Sequence, residues 1–401
     1  MTAPTKATID DIDVHGKRVL LREDLNVPMR DGAIADDRRI REAIPTIEAL
    51  RSRGARVVVI AHLGRPNGKI DDSARLGPVA ARLSSLLGED VRLASDVVGD
   101  SAQSMVDSLR DGDVGMLENV RFEPGEEANS PEFAGRLAAF GDAFVNDAFG
   151  TAHRAHASTE GVAHLLPAVA GKLMARELEM LGGVMDNPRT PVVAIVGGSK
   201  ISTKVGVLDH LLDRVDIVWV GGAMACTFYR ALGESTGTSL VEEDQVATAR
   251  RLLESAAGRR ADLRLPVDAV VVEKVAADSP TQVVAWKAIP DGWMVVDAGP
   301  DTVRRIAADC ATAGTIIWNG PLGIYEVPAF ATGTRDVARA VAASKATTVI
   351  GGGDLAAAVQ DAGVADKIGF ISTGGGATIE FLEGRTLPGV AALRDREVAR
   401  R

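Results

Sequence analysis

The chain has 401 residues, 46% of them hydrophobic and 25% charged, with a formal net charge of −10. That length exceeds what one core usually organises and predicts two domains of about 150 to 200 residues each. The acidic surplus argues against a nucleic-acid scaffold, and no apolar run approaches the roughly 20 residues of a membrane span. The opening residues do not read as a signal peptide. Two cysteines, Cys226 and Cys310, are too few for a disulfide framework or a thiolate metal cage, so a cytoplasmic protein is expected.

In chain order, strands are predicted at 18–22, 56–61, 91–94, 115–117 and 143–146. A helix follows at 173–185, stopped by Asp186-Asn187-Pro188; at ~1.5 Å per residue it spans roughly 20 Å, enough to act as a hinge element. Beyond it, strands are predicted at 192–196, 217–220, 267–272, 294–296, 315–318, 347–350 and 368–371. Amphipathic helical stretches alternate with these strands, the pattern of βα units and a mostly parallel sheet in an α/β fold. The expected domains are 1–172 and 188–386, with 173–187 between them.

The residues at the strand ends divide the chain. In the first half they are Asp24-Leu25-Asn26, Arg39, His62-Leu63-Gly64-Arg65, Arg121 and His153-Arg154; in the second they are Gly197-Gly198-Ser199-Lys200, Gly221-Gly222, Gly351-Gly352-Gly353-Asp354 and Gly374-Gly375-Gly376. Arginine forks grip phosphate and carboxylate bidentately, whereas glycine turns bring backbone N–H groups and helix N-termini close to polyphosphates. Two anionic ligands, one per half, are therefore expected.

Each motif also has a plainer reading. Lys200 and Lys204 are four apart, so in a helical first turn they share a face and both reach a phosphate chain, or form an ordinary solvated face. Asp354 suits Mg²⁺ carried in by phosphates, or it is simply a helix N-cap after a glycine turn. The His153-x-x-His156 spacing invites a metal, but no acidic or cysteine ligand lies at an informative spacing, and histidine donating to an anion is the better reading. Neither a Walker A triplet nor the protein-kinase signatures occur.

The runs Asp24-Leu25-Asn26-Val27-Pro28, His62-Leu63-Gly64-Arg65-Pro66, Glu118-Asn119-Val120-Arg121-Phe122, Ala152-His153-Arg154-Ala155-His156, Gly197 to Lys204, Trp318-Asn319-Gly320-Pro321, Gly351 to Asp354 and Ser372-Thr373-Gly374-Gly375-Gly376 follow one another in order. On these motifs the chain resembles the phosphoglycerate kinase family over nearly its whole length. The resemblance implies two Rossmann-like domains joined by a hinge helix, with a C-terminal segment, 387–401, packing back on the first domain. It implies reversible phosphoryl transfer from 1,3-bisphosphoglycerate to ADP, giving 3-phosphoglycerate and ATP with Mg²⁺, by a monomer whose domains close on both substrates.

By the same resemblance, Asp24, Asn26, Arg39 and His62 hold the glycerate end, Arg65, Arg121 and Arg154 hold the substrate's distal phosphate, and His153 is a further substrate-binding residue. Lys204, Gly221, Gly222, Val295, Asn319, Glu326 and the turn Gly351, Gly352, Gly353, Asp354 and Leu355 belong to the nucleotide, with Asp354 toward the metal. Arg39, Lys200, Lys204 and the amide around Gly375 are expected to stabilise the phosphoryl group in flight. Four positions depart from the family pattern: Glu23 replaces an apolar residue, Leu355 a hydroxyl residue, and Val295 with Ala298 a glycine and an isoleucine near the adenine. A carboxylate acceptor is already ionised, so the lack of an evident general base fits acyl-phosphate formation. The rivals are a non-catalytic nucleotide-binding regulator on the same fold and a dinucleotide-dependent dehydrogenase, against which this chain has no Gly-x-Gly-x-x-Gly opening a helix after its first strand.

Overall fold

A computed structural model describes residues 5–396 of the chain. It folds as two units, one running to Glu179 and resuming at Thr386, the other Met180–Arg385. The 15-residue helix Lys172–Asp186 runs from the first unit into the second.

In the first unit the strands are β1 Arg18–Arg22, β2 Met29–Arg30, β3 Ala33–Ile34, β4 Arg56–Ile60, β5 Val91–Leu93, β6 Val114–Met116, β7 Ala143–Asn146 and β8 Ala168–Ala170. Six of them form a parallel sheet in the order β5-β6-β4-β1-β7-β8, and β2 and β3 pair as a small antiparallel ribbon. The last four residues of β1 and of β4, and all of β7, are buried. Such buried, mainly apolar runs, broken only by Arg22 and Asn146 at the ends of β1 and β7, are what a parallel sheet covered on both faces requires. The helix Arg38–Ser52 supplies part of that cover, turning Ile40, Ala43, Ile47 and Leu50 inward at spacings of three and four.

The chain builds outward from β1 through β4 toward β5 and β6, then returns to the other side of β1 with β7 and β8. Strand order thus reverses at β1, where open α/β sheets leave a crevice at the carboxyl ends of the strands. The sequence reading missed β8, whose three small residues carry no strand pattern of their own. The C-terminal segment packs back here. The Ala7 N–H donates to the Arg394 carbonyl at 2.9 Å, the Arg394 N–H to the Ala168 carbonyl at 3.0 Å, and Lys6 pairs with Asp395 at 2.7 Å. The expected segment extends to 401, of which 397–401 lie outside the described residues.

The second unit carries β9 Val192–Val196, β10 Ile217–Val220, β11 Asp262–Arg264, β12 Asp268–Val272, β13 Gln282–Ala285, β14 Met294–Ala298, β15 Thr315–Asn319, β16 Thr347–Gly351 and β17 Phe370–Ile371. Its main sheet is parallel, in the order β11-β10-β9-β15-β16-β17. The order reverses between β9 and β15. Asn319 pairs in register with Val196 on one side and Gly351 on the other, so the turns after β9, β15 and β16 begin level with one another.

One expectation is corrected. The strands predicted at 267–272 and 294–296 do not join the parallel sheet; they are β12 and β14 of a separate antiparallel sheet, β13-β12-β14. A run of valines specifies burial and extension but not direction. That sheet has its own small core of Val272, Val296 and Phe330. No helix among the described residues is long and apolar enough to cross a membrane.

Candidate active site

In the first unit, the groups expected at the substrate gather at the carboxyl ends of β1, β4, β6 and β7. Asp24 and Asn26 follow β1, and Arg39 is the second residue of the Arg38–Ser52 helix. Arg39 Nη1 donates to Asp24 Oδ1 at 2.7 Å, and Asn26 Oδ1 accepts the Gly64 N–H at 2.9 Å, tying the β1 and β4 loops together. Arg121 is buried and donates to the Gly64 carbonyl at 2.7 Å. Arg154 Nε donates to His153 Nε2 at 3.2 Å, and Arg65 stands exposed on the β4 loop.

His62 is the centre of this half. It is 3% exposed, and its Nδ1 lies 3.1 Å from Nη2 of Arg22. Arginine only donates, so Nδ1 accepts and Nε2 carries the ring proton. Burial holds the imidazole well below its usual range, and the charges of Arg22, Arg121, Arg39 and Arg154 act in the same direction. His62 is therefore a neutral donor surrounded by guanidinium groups.

Arg22 was not read from the sequence as part of the site. It is 1% exposed and spends Nε on Ser158 at 2.8 Å, Nη1 on the Glu23 carbonyl and Nη2 on His62. Buried Glu126 balances its charge through Ser158, whose hydroxyl it accepts at 2.6 Å. Burial raises Glu126, but His156, Arg22 and Ser158 outweigh this and keep it below the usual carboxyl range. A charged residue closing an otherwise apolar strand was the available signal. The two histidines of the His-x-x-His spacing face different partners, Arg154 for His153 and Glu126 for His156.

In the second unit the glycine turns follow β9, β10, β16 and β17. Gly222 shows why glycine is needed: it has φ +69°, and a Cβ there would lie 2.4 Å from the Gly198 carbonyl oxygen. The turns after β9 and β10 therefore pack backbone against backbone. Gly221 precedes it, and Gly375, at φ +52°, caps the short helix Gly376–Leu382 with open space over its Cα.

The two lysines do not share a helical face as expected. Lys200 is extended, Ile201–Thr203 form a 3-10 turn, and the α-helix starts only at Val205. The intervening 3-10 turn separates the side chains, leaving Lys200 exposed and Lys204 buried. Burial brings the Lys204 ammonium down to about 8, with Glu383 opposing the shift. Its Nζ donates to Asn319 Oδ1.

Asn319 is 2% exposed, and its Nδ2 has no partner. That nitrogen faces the turn after β16, 3.1 Å from where a Gly351 Cβ would stand and 3.7 Å from one at Gly352. A buried donor left open beside a glycine turn is costly in a finished core and is what an acceptor-rich ligand would satisfy. Asp354 follows in this turn. It is not the helix cap: the helix Gly353–Asp361 is capped by Gly352, at φ +102°, with no side-chain hydrogen bond. The Asp354 carboxylate stands exposed near Tyr325, whose hydroxyl is 3.5 Å from Oδ1. No group of three or more metal-ligating side chains occurs among the described residues, so the chain offers one carboxylate here. That donor set fits Mg²⁺, which takes one or two carboxylates and completes its shell with phosphate oxygens and water.

The remaining nucleotide candidates are placed as follows. Leu355 is fully buried in the main core beside Ile350 and Val359, so it contributes packing. Val295 is half-buried in β14, its N–H bonded to Ser239 Oγ at 2.9 Å, and Glu326 is exposed on the loop after β15. Tyr325 was not read from the sequence; nothing in its local pattern distinguishes it.

A family model described as phosphoglycerate kinase matches residues 9–385. A phosphoglycerate kinase of Moorella thermoacetica is 53% identical over 391 residues, covering 98% of this chain and 100% of that protein. One of Acaryochloris marina is 52% identical over 398 residues, covering 98% and 99%. Among solved structures, phosphoglycerate kinase from Coxiella burnetii superposes with a TM-score of 0.88 at 43% identity, covering 96% of this chain and 98% of that one. The enzyme from Pyrococcus horikoshii OT3 gives 0.86 at 33% identity, with the same coverage. With arginines round a neutral histidine in one unit and glycine turns round an open donor in the other, and with relatives matching over almost the full length, the chain belongs to the phosphoglycerate kinase family.

Proposed function

We propose that this chain transfers a phosphoryl group reversibly between 1,3-bisphosphoglycerate and ADP, giving 3-phosphoglycerate and ATP, with the site residues in the roles set out below. The observation that supports this reading most is His62: buried, neutral and tautomerically fixed by Arg22, with its remaining N–H in a field of arginines. Such a group is a hydrogen-bond donor and not a base.

The first unit holds the glycerate through Asp24, Asn26, Arg39 and His62, and its phosphate through Arg65, Arg121 and Arg154, with His153 orienting Arg154. The second unit holds the nucleotide phosphates through Lys204, Asn319 and the Gly351–Gly353 turn, and the base and ribose through Gly221, Gly222, Val295, Tyr325 and Glu326. When Mg²⁺ accompanies the nucleotide it neutralises phosphate charge, with Asp354 as its protein ligand. In the direction of ATP use, a carboxylate oxygen of 3-phosphoglycerate attacks the γ-phosphorus, the bond from that phosphorus to the β,γ-bridging oxygen breaks, and ADP leaves with the electron pair. No proton moves. Arg39, Lys200, Lys204 and the Gly375 amide meet the charge on the equatorial oxygens.

Acceptor and nucleotide are assigned to different units, so transfer needs reacting atoms brought within roughly 3 to 3.5 Å by closure about the Lys172–Asp186 helix, with excluded water as a further gain. The limits 1–172 with 387–401, 173–187 and 188–386 are the rigid bodies and hinge of this proposal. A reducing cytoplasm is its setting, which the two free, buried thiols at Cys226 and Cys310 suit, and a monomer is the acting form.

The test is the rate of 1,3-bisphosphoglycerate formation from 3-phosphoglycerate and MgATP, coupled to NADH oxidation by glyceraldehyde-3-phosphate dehydrogenase, with MgGTP in parallel. Turnover with 3-phosphoglycerate supports the reading, and the nucleotide ratio shows what Val295 does. Folded protein that binds both ligands without turnover is the regulator instead.

A further inference from the structure

Next to the substrate aspartate lies a carboxyl pair that the transfer chemistry does not use. Glu23 is 1% exposed and Asp147, just past β7, is fully buried. Arg22 and Asn146 pair in parallel register and the Asp147 N–H donates to the Arg22 carbonyl at 2.9 Å, so Glu23 and Asp147 leave the two strand ends side by side, each acting on the other's carboxyl. Two carboxylates so placed cannot both be ionised, and the pair must hold a proton.

The surroundings show which member carries it. Asp147 is supplied with donors: the Thr46 hydroxyl on Oδ2 and the Met174 N–H at 2.9 Å on Oδ1. Glu23 has none of these, and its Oε1 meets no partner at all. Arg22, its neighbour, does not neutralise it, because that guanidinium is committed to Ser158, His62 and the Glu23 carbonyl. A bare carbonyl oxygen is tolerable on a neutral acid, whereas a carboxylate oxygen stripped of all donors is far more costly. The proton therefore sits on Glu23 and is donated to Asp147. Burial pushes the Glu23 carboxyl well above its usual range, with Asp147 adding to the shift, Arg22 opposing it and Asp24 adding a little more. Asp147 itself is raised to about 6 by burial, against its donors.

This bond sits where three elements meet. Thr46 belongs to the Arg38–Ser52 helix that carries Arg39, and its hydroxyl oxygen also accepts the Lys172 N–H at 3.0 Å. Lys172 and Met174 open the Lys172–Asp186 helix. Glu23 is adjacent in sequence to Asp24, which pairs with Arg39. The charged groups acting on Glu23 are thus Asp147 from the β7 loop and Arg22 and Asp24 from its own strand end. The helix contributes Thr46, and the segment entering the second helix contributes backbone donors.

We propose that Glu23 is a positioning residue for the phosphoglycerate half of the reaction: its proton, donated to Asp147, fastens the end of β1 to the Arg39 helix and to the start of the Lys172–Asp186 helix, and so sets Asp24 against Arg39. The proposal rests on the function proposed above, of which it is a refinement.

The experiment compares the full-length chain with Glu23→Gln and Glu23→Ala. Glutamine keeps an N–H for Asp147 but cannot titrate. KM for 3-phosphoglycerate in Glu23→Gln should stay within about twofold of wild type, whereas Glu23→Ala should raise it roughly tenfold, as loss of one hydrogen bond to a charged partner implies, with KM for MgATP unchanged in both. As pH is raised into the alkaline range, KM for 3-phosphoglycerate should climb in wild type and not in Glu23→Gln. Because the folded-state value is raised, wild type loses stability relative to the glutamine variant as pH rises above the ordinary 4.5 of a glutamate, so the gap in Tm should widen from pH 5 to pH 8. The infrared difference spectrum between wild type and Glu23→Gln should show the carbonyl-stretch band of a protonated carboxylic acid, a difference in which Asp297, itself raised to about 7 by burial, cancels. Absence of that difference band at pH 7, a glutamine variant as impaired as the alanine one, or an alanine variant that shifts Tm alone would each overturn the proposal. If Glu23→Ala does not fold, the glutamine variant and the infrared band decide. A wild type that shows the band but no turnover overturns the functional reading and the positioning role with it, while leaving the proton on Glu23 supported.

Discussion

Replacing Arg39 by alanine separates the two things this side chain does. In the folded protein it makes one ion pair, Nη1 to Asp24 Oδ1 at 2.7 Å, with the two side chains 35% and 10% exposed. Solvent screens a pair of that exposure, so its loss should cost at most about 1 kcal/mol, or ~2–4 °C in Tm for a unit of this size. Asp24 also keeps a hydrogen bond from the Asn26 N–H at 3.3 Å. In the transition state the same guanidinium faces charge spread over the phosphoryl oxygens, where an arginine is worth on the order of 10³ or more in kcat, about 4 kcal/mol at 1.36 per decade. Arg39→Ala should therefore lose three decades of kcat in the coupled assay, shift the melting curve by only a few degrees, and bind MgADP by calorimetry as wild type does. Arg39→Lys should recover only part of the rate, since a point charge does not reproduce the guanidinium fork. A kcat loss below about tenfold, or an equal loss of MgADP affinity, would refute the assignment.

Other consequences concern the second unit. Lys204, lowered to about 8 by burial, should lose charge in the free enzyme at alkaline pH, so KM for ADP should rise from pH 7.5 to pH 9 and Lys204→Arg should flatten that rise; a flat wild-type profile would contradict it. Because its folded value lies below the ordinary 10.5, stability from this group grows as pH climbs from about 8 to that value. Asp354→Asn should weaken MgADP far more than metal-free ADP in titration calorimetry, while equal weakening would make the residue a bystander to the metal. Gly222→Ala adds a Cβ 2.4 Å from the Gly198 carbonyl at φ +69°; strain of that kind costs of order 1–3 kcal/mol, so both Tm and nucleotide affinity should fall, and an unchanged affinity would remove the β9–β10 turns from the site.

The strand-end motifs were legible because their chemistry is local: a run of valines or leucines, then an arginine, histidine or glycine turn, places a ligand group at the end of a parallel strand whatever the rest of the fold does. What remained hidden was set by tertiary context. β8 is three small residues held in the sheet beside β7 and the returning C-terminal segment, whose Arg394 N–H bonds Ala168. The strands near 270 and 295 are apolar enough for either sheet, and only their pairing makes them antiparallel. Lys200 and Lys204 differ in burial because a 3-10 turn intervenes, which spacing alone does not reveal. The roles of Arg22 and Glu23 depend on partners more than 100 residues away, Ser158 and Asp147. A charge inside an apolar strand announces a constraint without naming the partner that satisfies it.

The central claim is that the acceptor is a carboxylate, held by fixed positive groups and a neutral His62, with no proton to remove. It is tested most directly by running the reaction from 3-phosphoglycerate and MgATP in the presence of hydroxylamine, which converts an acyl phosphate to a hydroxamate and leaves a phosphate ester untouched. Hydroxamate formed in step with ADP is the expected result. ADP released with a stable phosphate ester, or without any phosphorylated acceptor, would contradict it.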